Sequence, residues 1–185
     1  MRIISGKFKK SKIISPGKLD VRPTSNRAKE MIFSTLESIL IKENTSFNDS
    51  NVLDGFCGTG SLGIETISRG AKFVTFIDNS SKSLRIVKEN CKNLNILSQC
   101  NFYKLNLAKK VKINKKFDIF FLDAPYKRFI SNCVISNLVF CKLLQIGSIG
   151  IVETFKKEEI SESNNVSLIK IKMNGNSKFS FIKII

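Results

Sequence analysis

Between about residues 51 and 153 the chain alternates short apolar runs with stretches of helical periodicity, and this alternation limits its fold more than any other feature. Parallel strands cannot be joined by a tight turn, so strand-length runs separated by helix-length patterns imply helical crossovers over a parallel sheet. The pattern predicts a strand near 51 to 54, a helix at 61 to 69, a strand at 72 to 78 and a helix at 80 to 94. Strands at 99 to 105 and 117 to 123, a helix at 129 to 144 and a strand at 148 to 153 follow. The run Phe117-Asp118-Ile119-Phe120-Phe121-Leu122 is apolar on both alternating faces after its opening, as a central strand covered on both sides requires. The last runs, 165 to 172 and 177 to 184, flank Asn174-Gly175, a dipeptide suited to a tight hairpin, so the tail should be antiparallel. The expected fold class is α/β, a Rossmann-like, seven-stranded, mostly parallel sheet ending in an antiparallel hairpin.

Two elements precede the alternation. Residues 1 to 20 carry Arg2, Lys7, Lys9, Lys10, Lys12 and Lys18 against one acid, Asp20, with Ile3-Ile4 and Ile13-Ile14 on either side of Gly6. This reads as a small basic β-hairpin extension, with residues 21 to 185 forming one globular unit. From Thr24 or Ser25, both plausible caps, Ala28, Met31, Ile32, Leu36, Ile39 and Leu40 recur at helical spacing, and this helix should close near Lys42.

Composition narrows the chemistry. The chain has no histidine, and its five cysteines include no C-x-x-C pair, which argues against a zinc site and removes Ser-His and Cys-His catalysis. Isolated reduced thiols fit a cytoplasmic protein, and no apolar run approaches the roughly 20 residues that span a bilayer. A formal charge of +16 suits a polyanion such as nucleic acid. Only six of the 31 basic residues are Arg, however, so drift of lysines over a solvated surface would give a similar excess. The cluster Lys109, Lys110, Lys112, Lys115 and Lys116 reads as such a solvated loop.

The turn Asp54-Gly55-Phe56-Cys57-Gly58-Thr59-Gly60 follows the first core strand and opens a helix near Ser61. Glycines there let backbone approach a ligand, the helix start offers amide donors, and Asp78, at the end of the second strand, is placed to accept ribose hydroxyls. The letters of G-x-G-x-x-G fit a dinucleotide as well as S-adenosylmethionine, and a ligand-free tight connection would also use them. Asp54 favours the methyl donor, because a carboxylate attracts its cationic amino-acid end and repels a pyrophosphate. At the end of the fourth strand stands Asp123-Ala124-Pro125-Tyr126. Asp123 and the Ala124 carbonyl are candidate acceptors for an exocyclic base amine, whose lone pair must be localised before methyl transfer, and Tyr126 is a candidate stacking platform.

These residues resemble the RsmD-type methyltransferases. The resemblance extends over Met1-Arg2-Ile3-Ile4-Ser5-Gly6, Arg22 to Arg27, Asp54 to Gly63 with Glu65, Ser68 to Ala71, Asp78 and Gly175 to Lys178. It implies a class I S-adenosylmethionine-dependent methyltransferase fold and methylation of the N2 amine of a guanine in small-subunit (16S) ribosomal RNA, in an assembling particle. S-adenosylhomocysteine would be the product, no metal would be needed, and a monomer is expected. The implied donor contacts are Asp54, Gly55, Phe56, Cys57, Gly58, Gly60, Asp78, Asn79 and Asn106. The catalytic set is Asp123, Ala124, Pro125 and Tyr126, and the RNA contacts are Arg22, Arg27, Lys7, Lys9, Lys10 and Lys12.

Three positions depart from the family pattern: Ala124 replaces the first proline of Asp-Pro-Pro-aromatic, Asn106 replaces an acid, and Asn26 replaces a common Asp. Methylation of adenine N6 in DNA or RNA, a non-catalytic assembly factor that keeps the donor pocket, and a nicotinamide-dependent oxidoreductase remain alternatives.

Overall fold

The computed structural model describes residues 1–15, 25–124 and 130–185. Helix α1 (Asn26–Lys42) begins where the Ser25 side-chain oxygen accepts the Ala28 amide, satisfying a donor that the first turn leaves unpaired. It is followed by β1 (Asn51–Gly55), α2 (Ser61–Ser68), β2 (Phe73–Asp78), α3 (Ser81–Asn93), β3 (Cys100–Lys104) and β4 (Phe117–Asp123). Helix α4 (Ser131–Phe140) and strands β5 (Leu144–Phe155), β6 (Val166–Asn174) and β7 (Ser177–Ile184) complete the order.

The strands form one seven-stranded sheet in the order β3-β2-β1-β4-β5-β7-β6. β1 to β5 pair in parallel, and β7 runs antiparallel to both β5 and β6. Strand order reverses between β1 and β4, which opens a crevice at their carboxyl ends. β4 is buried on both sides, as its sequence predicts. Ile119 and Phe121 join Val52, Phe76 and Ile151 beneath residues of α1, α2 and α3, whereas Phe120 and Leu122 join Leu53 and Ile77 against α4. The Phe33 ring of α1 lies 5.8 Å from that of Phe121, fixing α1 over the middle of the sheet.

The helices stop by one device. After α1, α2, α3 and α4 the residues Asn44, Gly70, Asn95 and Lys142 have φ of 52°, 111°, 56° and 56°. The next amide reaches back five residues in each case: Thr45 to Leu40, Ala71 to Thr66, Ile96 to Cys91 and Leu143 to Leu138. These are Schellman motifs, which pair carbonyls that the last turn leaves open. The motif at Lys142 shortens the predicted helix at 129 to 144 and lets β5 start at Leu144, well before the predicted 148. Phe129 lies outside the described residues. At the other end, β6 runs to Asn174, which pairs with Ser177, so the hairpin turns on Gly175-Asn176, one residue later than the predicted Asn174-Gly175, with Gly175 at φ 63°.

Within residues 1–15 the N-terminal hairpin is seated against α1, α2 and α3. It contains one antiparallel bridge, Arg2 to Lys12, with Ile3 and Ile13 buried in the core that also holds α1, α2 and α3. Gly6 lets the turn meet α2 closely, since a Cβ there would sit 1.8 Å from the Ser68 carbonyl oxygen. The Lys7 amide donates to that oxygen at 2.7 Å, and the Ile4 and Ser5 amides donate to the Glu65 carboxylate at 2.9 and 3.0 Å.

Candidate functional site

The glycine-rich turn joins β1 to α2 at the point where strand order reverses. Asp54, at the end of β1 and 3% exposed, accepts the Gly63 amide of α2 through Oδ2 at 2.9 Å. Gly63 makes this approach possible, for a Cβ would fall 2.9 Å from that oxygen and 2.5 Å from the Phe76 ring. Burial pushes the Asp54 carboxyl up to about 7; the Gly63 amide opposes the shift and the charge of Asp78 adds to it. The expected role of Asp54 toward a cationic group is therefore joined by a structural one, bracing the first turn of α2.

Asp78, at the end of β2, is held by both oxygens: Oδ2 accepts the Gly58 amide at 3.1 Å and Oδ1 the Ser80 amide at 2.8 Å. Each oxygen retains a second lone pair, so the carboxylate can be oriented by the backbone and still accept ligand hydroxyls. Neighbouring Asn79 is exposed. Between the two acids, Phe56 takes φ 60°, a strained value for a bulky residue, while the Cys57 amide donates to the Ile77 carbonyl at 3.1 Å. Burial, then the charges of Asp54 and Asp78, push the Cys57 thiol up, so it lines the turn as a neutral, inert group. The glycines differ in purpose. A Cβ on Gly60 would sit 2.1 Å from the Val87 side chain of α3, whereas one on Gly58 would meet only the Phe56 carbonyl oxygen at 3.9 Å. Gly60 serves packing, and Gly58 leaves backbone open to a ligand. A Cβ on Gly55 would press on Leu107 and Leu122 at 2.8 and 2.9 Å.

Across the switch point, Asp123 ends β4 beside Glu153 of β5, its register partner, and Ala124 is buried. Burial, the charge of Glu153 and then that of Asp54 hold the Asp123 carboxyl well above the usual carboxylate range. Three predicted residues, Arg22, Pro125 and Tyr126, lie outside the described residues. Asn106 is exposed, and its side-chain oxygen accepts the Ala108 amide at 3.0 Å, capping the turn after β3. Arg27, Lys7, Lys9, Lys10 and Lys12 are all exposed. Within the lysine cluster, Lys110 lies over the Phe140 ring at 4.0 Å and Lys115 over that of Phe73 at 3.7 Å.

Sequence reasoning missed two groups. Asn90 of α3, 2% exposed, donates to the Thr59 carbonyl at 3.0 Å and to the Ile14 carbonyl at 3.1 Å, and accepts the Ile14 amide at 2.7 Å. Lys29 of α1, 0% exposed, donates to the Arg2 carbonyl and lies 3.8 Å from Glu65, whose other oxygen accepts from Arg69 at 3.1 Å. Burial lowers the Lys29 pKa, Glu65 opposes that and Arg69 adds to it. The available signal was a polar residue interrupting an apolar helical stripe: Asn90 beside Val87 and Cys91, Lys29 beside Ala28, Ile32 and Phe33.

A family model described as Conserved hypothetical protein 95 matches residues 1–183. An uncharacterised methylase of Rickettsia prowazekii is 30% identical, with 99% of this chain and 97% of the relative covered. The ribosomal RNA small subunit methyltransferase D of Buchnera aphidicola from Acyrthosiphon pisum is 35% identical, with 92% and 86% covered. Among solved structures, a putative methylase of Haemophilus influenzae superposes with a TM-score of 0.79 at 29% identity, covering 98% of this chain and 97% of that one. A putative methyltransferase of Escherichia coli gives a TM-score of 0.84 at 23% identity, with 100% and 97% covered, a likeness of fold.

Proposed function

This chain belongs to the RsmD-type methyltransferases, the family described as Conserved hypothetical protein 95, and we propose that it methylates the N2 amine of a guanine in small-subunit ribosomal RNA with S-adenosylmethionine as donor. The observation that carries this reading is the pair of acid-bearing strand ends, Asp54 with its glycine turn and Asp123, adjoining at the switch point. The residues fit the donor. Gly58 leaves backbone accessible, Asp78 is oriented by two amides toward hydroxyl groups, and Asp54 supplies negative charge for an ammonium. When bound, the donor supplies an electrophilic methyl on a sulfonium.

The chain's own work is to orient the amine. Asp123 accepts an amine N–H, which localises the nitrogen lone pair, and the Ala124 carbonyl accepts the second. Only the ionised Asp123 offers every lone pair for this, so its raised pKa makes the rate climb with pH as the proton leaves. Tyr126 stacks the unstacked base, and Lys7, Lys9, Lys10, Lys12, Arg22 and Arg27 engage phosphates. The name of the Buchnera relative, a ribosomal RNA small subunit methyltransferase, supports ribosomal RNA as substrate. The protein acts as a monomer in the cytoplasm, on RNA within an assembling particle, with residues 1 to 20 serving as the RNA-facing part of a single catalytic unit.

Nucleoside mass analysis of small-subunit RNA from cells with and without the protein tests the product. N2-methylguanosine should fall by about one residue per RNA in its absence, and an unchanged level would refute the reading. Replacing Asp123 by Ala should lower methyl transfer at least a hundredfold, the lower range for losing a positioned proton acceptor.

A further inference from the structure

The N-terminal segment is sewn to both helices that shape the glycine turn. On α2, Glu65 accepts the Ile4 and Ser5 amides, while Ser68 receives the Lys7 amide on its carbonyl and the Phe8 amide on its hydroxyl at 3.0 Å. On α3, Asn90 uses its whole amide on two backbones: Ile14 in the basic segment, and Thr59 inside the glycine turn. An amide is the only uncharged side-chain end that both donates twice and accepts, so no other residue of this size reproduces the three bonds. Val87, one turn earlier on α3, packs where a Cβ on Gly60 would stand, so α3 grips the turn at two successive residues.

We propose that Asn90 is a positioning residue that couples the basic segment to the donor turn, so that binding of donor and binding of RNA strengthen one another. Settling the Thr59 carbonyl settles Asn90, and Asn90 then holds Ile14 and the strand that carries Lys12. RNA bound across Lys7, Lys9, Lys10 and Lys12 holds the same segment from the other side. By linkage the two effects are equal in size. The inference rests on the donor and RNA reading given above.

The test uses the full chain, S-adenosylhomocysteine as the donor-site probe and a small-subunit RNA fragment. In the wild type, the probe should tighten RNA about fivefold, the lower end of ordinary coupling, and should slow hydrogen exchange at the Ile14 amide. In Asn90→Leu the probe should still bind, but the tightening should vanish and exchange at Ile14 should no longer respond. Asn90→Asp, which keeps the acceptor for Ile14 and loses both donors, should behave the same way, and it serves if the leucine variant does not fold. A merely structural Asn90 would lower the melting temperature in the variants while leaving the fivefold ratio intact, and that result would overturn the proposal. So would a wild type in which the probe binds without affecting RNA or Ile14. A wild type that does not bind the probe at all would instead overturn the donor reading.

Discussion

Asp54 braces the fold through the Gly63 amide, and the proposed donor would place a second demand on the same carboxylate. Its folded pKa is raised from 3.8 to about 7, so the folded protein holds a proton that the unfolded chain has lost across that interval. The contribution of this group to stability therefore declines as pH rises from about 4 through 7, the reverse of a salt-bridged acid. A cationic ligand favours the ionised form, so donor binding should release a proton near pH 7 and tighten as pH rises through that value. Calorimetry in two buffers of different ionisation heat would detect the proton, and Asp54→Asn should abolish its release. The paired glycines give a second contrast. Gly60→Ala combines a φ of 76° with a Cβ contact at 2.1 Å and should destabilise by about 2 to 4 kcal/mol in chemical denaturation. Gly58→Ala has only its φ of 52° to strain it and should cost about 1 kcal/mol, with its larger effect on donor affinity. Asp54, Asp78 and Asp123 were legible in the sequence because each ends an apolar run, where an α/β sheet puts its ligands. The contacts of Asn90 and Glu65 were not, since their backbone partners lie 31 to 76 residues away and carry no mark in a side-chain pattern.

At the scale of elements, the alternation of runs predicted the five parallel strands, and the two runs around Gly175 predicted the antiparallel pair. It misplaced the junction of α4 and β5. Residues 141 to 147 continue apolar enough for either state, and only the backbone turn at Lys142, φ 56°, decides between them. Lysine has no special fitness for that conformation, unlike the Asn and Gly residues that end the other three helices. Lys142→Gly should therefore stabilise the protein by about 0.5 to 1 kcal/mol, the relief of a left-handed residue less the added freedom of glycine when unfolded. A rise in the urea midpoint with an unchanged slope would confirm it. The small hairpin at the N-terminus was legible in its turn and its charges, but not in its attachment to α2 and α3.

For the whole molecule, charge is the property that reaches furthest. With 31 basic and 15 acidic residues the chain carries a formal charge of +16, and four exposed lysines lie in the N-terminal segment that Asn90 ties to the glycine turn. Replacing Lys7, Lys9, Lys10 and Lys12 together should reduce the slope of log affinity for RNA against log salt by about 3, if each neutralises one phosphate. Circular dichroism should change little, since among the described residues none of the four forms an ion pair. Among the described residues no helix is long and apolar enough to cross a membrane.

The stitching of the first fifteen residues also orders events in time. Met1 to Ser15 come before their partners Lys29, Glu65, Ser68 and Asn90 in the order of synthesis, so this segment has no seat until those residues exist. Such non-local closure is slow, and it leaves Ile3 and Ile13 open to solvent in the interval. This segment therefore settles late, and its docking reports that α2 and α3 are already in place.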